Sequence, residues 1–232
     1  MGERSVRRIC EPANAVVVCL FTSQTHHLLE HLHLPDWAYR QIPCEGDPMR
    51  LGFRAQAFMA KQLGVFDWYC FMEDDLVIED ALFFQKLRWW QQLVGPEFLL
   101  QPNRFELGLI EPKPHKLYVD APMGRAQRFW ADEHRPVIEG SVMGVKLRFE
   151  RAINPHSGCY FLSATQMEML SNSAGFGEPD ERFVGPLESA ASLAIMKRFR
   201  VYKSVAPHMH FFEIRHFAAR FIHQLSIQLP PP

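Results

Sequence analysis

The chain has 232 residues, of which 47% are hydrophobic and 22% are charged, and its formal net charge is −1. This length is sufficient for one large α/β domain with its own core, and the composition excludes a disordered or fibrous protein. The nearly neutral charge argues against a general electrostatic attraction to nucleic acid or to acidic membranes.

The cysteines and the apolar runs indicate the cellular compartment of the protein. There are five cysteines, an odd number, and they are widely spaced. That pattern favours reduced thiols and a cytoplasmic protein. The apolar run Ala15 to Phe21 follows three arginines but is separated from them by Glu11 and Pro12, so we interpret it as a strand and not as a signal peptide. No stretch approaches the roughly 18 apolar residues of a membrane span, and we expect no transmembrane segment.

In the first part of the chain, apolar runs alternate with helical periodicity. Residues 16–21 are all apolar and begin with three β-branched valines, which predicts a buried strand. Leucines in residues 26–33 predict a short helix, and the spacing of apolar residues predicts a helix over 51–63. The apolar run 68–72 then predicts a second strand.

Further helices and strands are predicted after residue 80, although residues 121–152 show no clear hydrophobic periodicity. Apolar spacing, N-cap residues and glycine or proline stops set the bounds of these elements. The predicted helices are 81–93, 165–170 and 187–199, and the predicted strands are 105–110, a strand ending at Leu162, 200–205 and 211–216.

The alternation of strands and helices predicts a single Rossmann-like domain with a mostly parallel central sheet and helices on both faces. Ligands of such sheets gather at the carboxyl ends of the strands. We expect the domain to span residues 15–217, with the donor half at about 15–80 and the acceptor half at about 100–217. An N-terminal extension (1–14) and a C-terminal tail (218–232) flank it.

Three consecutive acids, Glu73, Asp74 and Asp75, follow the predicted strand 68–72. Adjacent carboxylates repel one another unless a cation lies among them, and a hard divalent metal ion is the simplest candidate. The apolar flanks argue against a solvated turn, because buried charges need partners. Side chains two residues apart in an extended segment point to the same side, so Glu73 and Asp75 can act together.

This arrangement resembles the Asp-x-Asp motif of nucleotide-sugar-dependent glycosyltransferases of the GT-A fold, with Glu73 and Asp75 at the acidic positions. The resemblance implies that Asp75 binds Mn²⁺ or Mg²⁺, which bridges the donor diphosphate, and that Glu73 and Asp74 contact the donor. It also implies transfer of a hexosyl or N-acetylhexosaminyl group from a UDP- or GDP-sugar to a glycan or another hydroxyl acceptor. A Lewis acid beside the departing diphosphate lowers the barrier of such a reaction.

The resemblance also suggests a general base. In family members that invert the anomeric centre, an acid at the start of a helix deprotonates the acceptor hydroxyl, and Glu188 occupies such a position in the predicted helix 187–199. The positive end of the helix dipole favours a carboxylate there. Asp180 and Glu181 are the alternatives.

A late histidine is the second candidate metal ligand. Alternation in the predicted strand 211–216 places His216 at the strand end, where its imidazole could reach the metal. His210 and His208 are the alternatives. Further donor contacts are assigned to Thr22, after the first strand, and to Arg54, on the helix before the acids.

Two other functions fit the same pattern. A nucleotidyltransferase also uses strand-end acids and Mg²⁺, but it ordinarily has a glycine-rich, basic phosphate loop, and the segment Phe21 to Thr25 contains neither glycine nor lysine. A carbohydrate- or protein-binding module could have kept the fold without turnover.

Overall fold

A computed structural model of the chain describes residues 16–35, 37–110, 113–134, 136–217 and 220–228. The chain divides into two compact units, Met1–Leu51 and Gly52–Pro232. None of the helices in the described ranges combines the length and the hydrophobicity needed to cross a bilayer. These helices are α1 (Leu51–Ala60), α2 (Phe83–Val94), α3 (Ala164–Ser171), α4 (Pro186–Arg198) and α5 (Arg220–Gln228).

The described strands are mostly short. They are β1 (Cys19–Ser23), β2 (Arg40–Cys44), β3 (Trp68–Met72), β4 (Leu76–Val77), β5 (Phe98–Leu100), β6 (Asn103–Ile110), β7 (Lys113–Tyr118), β8 (Ile138–Val142), β9 (Val145–Arg151), β10 (Cys159–Ser163), β11 (Arg200–Ser204) and β12 (Glu213–His216). The predicted N-terminal extension, residues 1–14, lies outside the described residues.

The first unit contains one parallel strand pair, β1 with β2. The helix predicted over 26–33 is wrong, because only Leu29–His31 form a short 3₁₀ segment. Leu28 and Leu32, which should have supplied its apolar face, are 74% and 44% exposed. A helix of two turns is marginal in water unless such a face is buried.

The described residues of the second unit form three sheets, ordered β10-β3, β5-β11-β9-β8 and β4-β12-β6-β7. Antiparallel pairs predominate among them: β3 with β10, β4 with β12, β6 with β7, β8 with β9, and β9 with β11. Only β5 with β11 and β6 with β12 are parallel in the described part of this unit. The prediction of a Rossmann-like GT-A domain with a mostly parallel central sheet is therefore wrong, and the fold is mixed α/β.

The error concerns strand direction, which hydrophobic periodicity does not encode. An apolar run such as Trp68–Met72 predicts a buried strand of either direction, and β3 runs antiparallel to β10. The β8–β9 hairpin lies in the region 121–152, where the sequence showed no clear pattern. Met143 and Gly144, between its strands, have φ of 51° and 83°, a two-residue turn of the kind that joins antiparallel neighbours.

Strand β10 is buried on both faces. Tyr160 and Leu162 pack into a cluster with residues of α1, α3 and α4, whereas Cys159 and Phe161 pack into a cluster with residues of α2 and β9. This explains why the strand reads as a continuous apolar run. The helices predicted over 51–63, 81–93, 165–170 and 187–199 are confirmed as α1 to α4, with ends shifted by a few residues.

Candidate active site

Strand β3 ends at Met72 and is followed at once by Glu73. The Glu73 backbone N–H donates a hydrogen bond to the Gly158 carbonyl, at 2.9 Å, which extends the β3–β10 pairing by one step. The Glu73 carboxylate lies against Gly158, where an added Cβ would come within 2.5 Å of Oε2. Gly158 also has φ of +63°, a conformation that glycine adopts at little cost. A glycine at position 158 therefore allows the Glu73 carboxylate to occupy this place.

Several charged side chains surround Glu73. Burial, together with the charges of Asp75, Glu188 and Asp74, raises the pKa of Glu73 to about 7, and the charge of the nearby Arg104 acts in the opposite direction. Three separate parts of the chain therefore come within electrostatic range: the segment after β3, the first turn of α4 and strand β6. Glu188 is half-buried in that first turn.

His216 lies between two carboxylates. Its Nε2 is 3.0 Å from Asp75 Oδ2, and its Nδ1 is 2.7 Å from Glu106 Oε1. The Asp75 side chain is 40% exposed, whereas the Glu106 side chain is completely buried. An open carboxylate, an imidazole and a buried carboxylate thus form one continuous chain of polar contacts.

The pairing of β12 explains this arrangement. On one side β12 is antiparallel to β4, so His216 stands opposite Leu76, the residue after Asp75. On its other side β12 runs parallel to β6, in a register that places His216 beside Glu106. Neighbouring strands lie about 4.8 Å apart, so the three side chains are within reach of one another.

Asp75 and His216 fit a divalent metal ion that is shared with a substrate. Asp75 Oδ1 is buried without a hydrogen-bond partner, and the 3.0 Å between Asp75 Oδ2 and His216 Nε2 suits two adjacent ligands of an ion with ligand distances of about 2.1 Å. Within the described ranges, no group of three or more His, Cys, Asp or Glu residues could hold a metal. Mg²⁺ is commonly bound by one or two carboxylates together with water and substrate phosphates; the Asp75 carboxylate matches that pattern, and His216 would be an additional protein ligand.

The alternative acid Asp180 is committed elsewhere. Its carboxylate lies 2.7 Å from Arg182 and 2.6 Å from Lys197, and Lys197 is in the last turn of α4. Because α4 rises about 1.5 Å per residue, the backbone position of Lys197 is about 13 Å along the helix from that of Glu188. The neighbouring acid Glu181 is half-buried in the same loop.

Of the other predicted site residues, Asp74 adjoins Glu73, whereas Arg54 and Thr22 lie on α1 and β1. Asp74 is exposed beside Glu73, and Arg54 is exposed on α1. Thr22 belongs to the first unit, where its hydroxyl accepts a hydrogen bond from the Gln41 side chain at 3.0 Å. His208 and His210 lie in or beside the 3₁₀ segment between β11 and β12, and within the described part of the chain no ion pair joins either of them to Asp75.

The sequence reasoning missed a buried ion-pair cluster beside the site. Asp120 accepts hydrogen bonds from the side chain and backbone N–H of Arg104, at 2.8 and 2.9 Å, and lies 2.6 Å from Lys203 Nζ. Burial would raise the pKa of Asp120, but the charges of Lys203 and Arg104 hold it below its ordinary value. Burial in turn lowers the pKa of Lys203.

Glu106 was also missed, although a signal for it was present. Glu106 and Lys203 lie inside predicted strands with apolar neighbours, and a charge buried in a strand must have a partner. Their position between apolar residues therefore indicated that each of these charged side chains has a hydrogen-bond or ion-pair partner. It could not identify the partners, since Asp120 and His216 belong to other strands or loops.

Comparison with known proteins adds no assignment. No protein-family model matches the chain, and neither a curated protein nor a solved structure matches it. The function is therefore inferred from the residues and their geometry.

Proposed function

We propose that this chain is a metal-dependent glycosyltransferase, which transfers a hexosyl or N-acetylhexosaminyl group from a nucleotide diphosphate sugar to an acceptor hydroxyl with inversion. One observation carries the proposal: the Asp75–His216 pair, at 3.0 Å, lies in the same electrostatic neighbourhood as Glu73 and Glu188. These four residues come from three separate segments of the chain. A solvated acidic turn would not require a histidine and a helix-start acid beside it.

Asp75 and His216 would hold Mn²⁺ or Mg²⁺. When bound, the ion would neutralise the charge that develops on the departing nucleoside diphosphate. Four carboxylates in one neighbourhood, Glu73, Asp74, Asp75 and Glu188, would repel a diphosphate strongly without that cation. The requirement for a metal thus follows from the charges of the site itself.

The remaining acids would contact the two substrates, the donor and the acceptor. Glu73 and Asp74 would accept hydrogen bonds from hydroxyls of the donor sugar or ribose. Glu188 would take the proton of the acceptor hydroxyl while the acceptor oxygen bonds to the anomeric carbon and the bond to the diphosphate oxygen breaks. The first turn of α4 suits this role, because the helix dipole favours a carboxylate there. Asp180 is held by Arg182 and Lys197 and is not available for it.

Cellular location is part of the same proposal. Cys19, Cys70 and Cys159 carry free thiols, and such thiols persist in a reducing compartment. We therefore place the enzyme in the cytosol, where UDP- and GDP-sugars would be its donors.

A donor screen tests the function. Thermal unfolding would be measured with a panel of UDP- and GDP-sugars, each with Mn²⁺ or with EDTA, for the wild type, Asp75→Asn and the exposed-acid control Asp67→Asn. One donor should raise the Tm of the wild type and of Asp67→Asn only when Mn²⁺ is present, because ligand binding stabilises the native state. Asp75→Asn should show no shift.

Three results would refute the proposal. These are no metal-dependent shift with any nucleotide sugar, an unchanged shift in Asp75→Asn, or release of pyrophosphate from a nucleoside triphosphate without sugar transfer. Stabilisation by a free sugar without Mn²⁺ would instead indicate a binding module.

A further inference from the structure

Glu106 is a completely buried carboxylate next to the proposed metal ligands. Its Oε1 lies 2.7 Å from His216 Nδ1, and its Oε2 accepts a hydrogen bond from the Ile222 backbone N–H at 2.7 Å. Each oxygen therefore has one partner, and the two partners lie on different elements, β12 and α5. A buried charge is tolerated when it is hydrogen-bonded in this way.

We propose that Glu106 is a positioning residue, which fixes the His216 ring with Nε2 directed toward Asp75. A carboxylate only accepts hydrogen bonds, so the His216 nitrogen that faces Glu106 carries a proton. Nε2 also faces a carboxylate, that of Asp75; when the ring is neutral and its single proton is held at Nδ1 by Glu106, Nε2 keeps the lone pair that a metal ion requires. The link to the metal rests on the proposed function, whereas the orientation of the ring does not.

Helix α5 holds Glu106 in place. Gly108, on the same strand as Glu106, lies so close to Ile222 that an added Cβ would come within 2.7 Å of Ile222 Cγ2. The first turn of α5 thus packs directly on β6. Because the first N–H groups of a helix have no partner within the helix, the Ile222 N–H is available to Glu106. Packing of α5 on β6 and orientation of His216 are therefore connected through one carboxylate.

A purely structural Glu106 would behave differently. If it served only to satisfy the Ile222 N–H, its substitution would lower stability and leave the His216 ring as it was. If it orients the ring, the substitution must change which nitrogen carries the proton and weaken metal binding. Partners of this kind typically change metal affinity by about 10- to 100-fold.

The first measurement determines the protonation of the His216 ring, in the wild type and then in Glu106→Gln. In protein labelled with ¹⁵N-histidine, two-bond ¹H–¹⁵N spectra report which ring nitrogen of His216 is protonated, and His216→Gln assigns the signal. We expect a protonated Nδ1 in the wild type and a loss of that preference in Glu106→Gln. His216 and Ile222 contact different oxygens of Glu106, and the amide of the variant places an oxygen at one of these positions and an NH₂ group, which only donates, at the other.

The second measurement is the affinity for MnCl₂ alone, followed by electron paramagnetic resonance. We expect Glu106→Gln to bind Mn²⁺ about 10- to 100-fold more weakly than the wild type. The control is Glu213→Gln, on the same strand as His216, where the carboxylate pairs with Lys116 and Tyr118 instead. This control should keep the wild-type affinity.

The outcomes separate the two claims. An unprotonated Nδ1 in the wild type refutes the positioning role. The positioning role is also refuted if Glu106→Gln binds Mn²⁺ as tightly as the wild type while Asp75→Asn does not bind it. In that case the proposed function stands. If the wild type itself does not bind Mn²⁺, the proposed metal-dependent function fails. The ring spectra then decide the role of Glu106 alone: loss of the Nδ1 preference in Glu106→Gln supports it, and an unchanged ring overturns it.

Discussion

Replacing Gly158 with alanine should displace the Glu73 carboxylate while leaving the fold intact. The new Cβ would lie 2.5 Å from Glu73 Oε2 and 3.0 Å from its Cδ, and ordinary contact begins at about 3.4 Å, so the carboxylate must retreat by roughly 0.9 Å. A side-chain end can move this far without unfolding the protein. The backbone cost of alanine at φ +63° is about 1–2 kcal/mol.

The functional loss should greatly exceed the stability loss. A displacement of about 1 Å at a catalytic constellation can reduce the rate by about 10²-fold, so we expect a loss of this order in kcat/KM for the nucleotide sugar identified by the donor screen. The measurements are steady-state transfer kinetics and urea unfolding.

The matched control is Gly175→Ala. Gly175 has φ of +77°, but an added Cβ would meet nothing within 4 Å. It therefore carries a similar backbone strain without a new contact, and it should lose stability while keeping its activity. Equal activities of the two alanine variants would show that the position of the Glu73 carboxylate does not matter and would refute the reasoning.

Two predictions concern stability. Burial lowers the pKa of His156 to about 3, so the folded state keeps this histidine neutral while the unfolded chain binds a proton below about pH 6.5. Its contribution to stability is complete above pH 6.5 and is lost as the pH falls toward 3, by about 1.4 kcal/mol per pH unit. Urea unfolding between pH 7.5 and 4.5 should show this slope, and His156→Asn should reduce it; an equal slope in both proteins would contradict the assignment. Asp120→Asn should cost about 3–5 kcal/mol at pH 7, because it leaves Arg104 and Lys203 without their buried partner. The exposed control Glu97→Gln should cost less than about 1 kcal/mol, and similar losses in both would argue against a buried cluster.

Much of the local structure could be predicted from the sequence. The apolar run Trp68–Met72 and the helix end at Gly95 depend on side chains close in sequence, and the elements that they define are present. The strand predicted over 105–110 lies within β6, whereas β7, β8 and β9 were missed. Val145, Leu147 and Phe149 alternate with charged residues, so a signal for β9 was present in the sequence.

The sequence by itself determined where the chemistry-bearing residues stand on their elements: the acids directly after β3, Glu188 in the first turn of α4 and His216 at the end of β12. Local propensity and capping act over a few residues, and they can therefore be recognised in the sequence without knowledge of the fold. Only the tertiary structure decided the direction of the strands, the partnership of His216 with Glu106 and the close approach of Gly158 to Glu73. These features depend on strand register and on side-chain packing between segments far apart in the chain. Hydrophobic periodicity specifies which face of a strand is buried, but not which strand lies beside it.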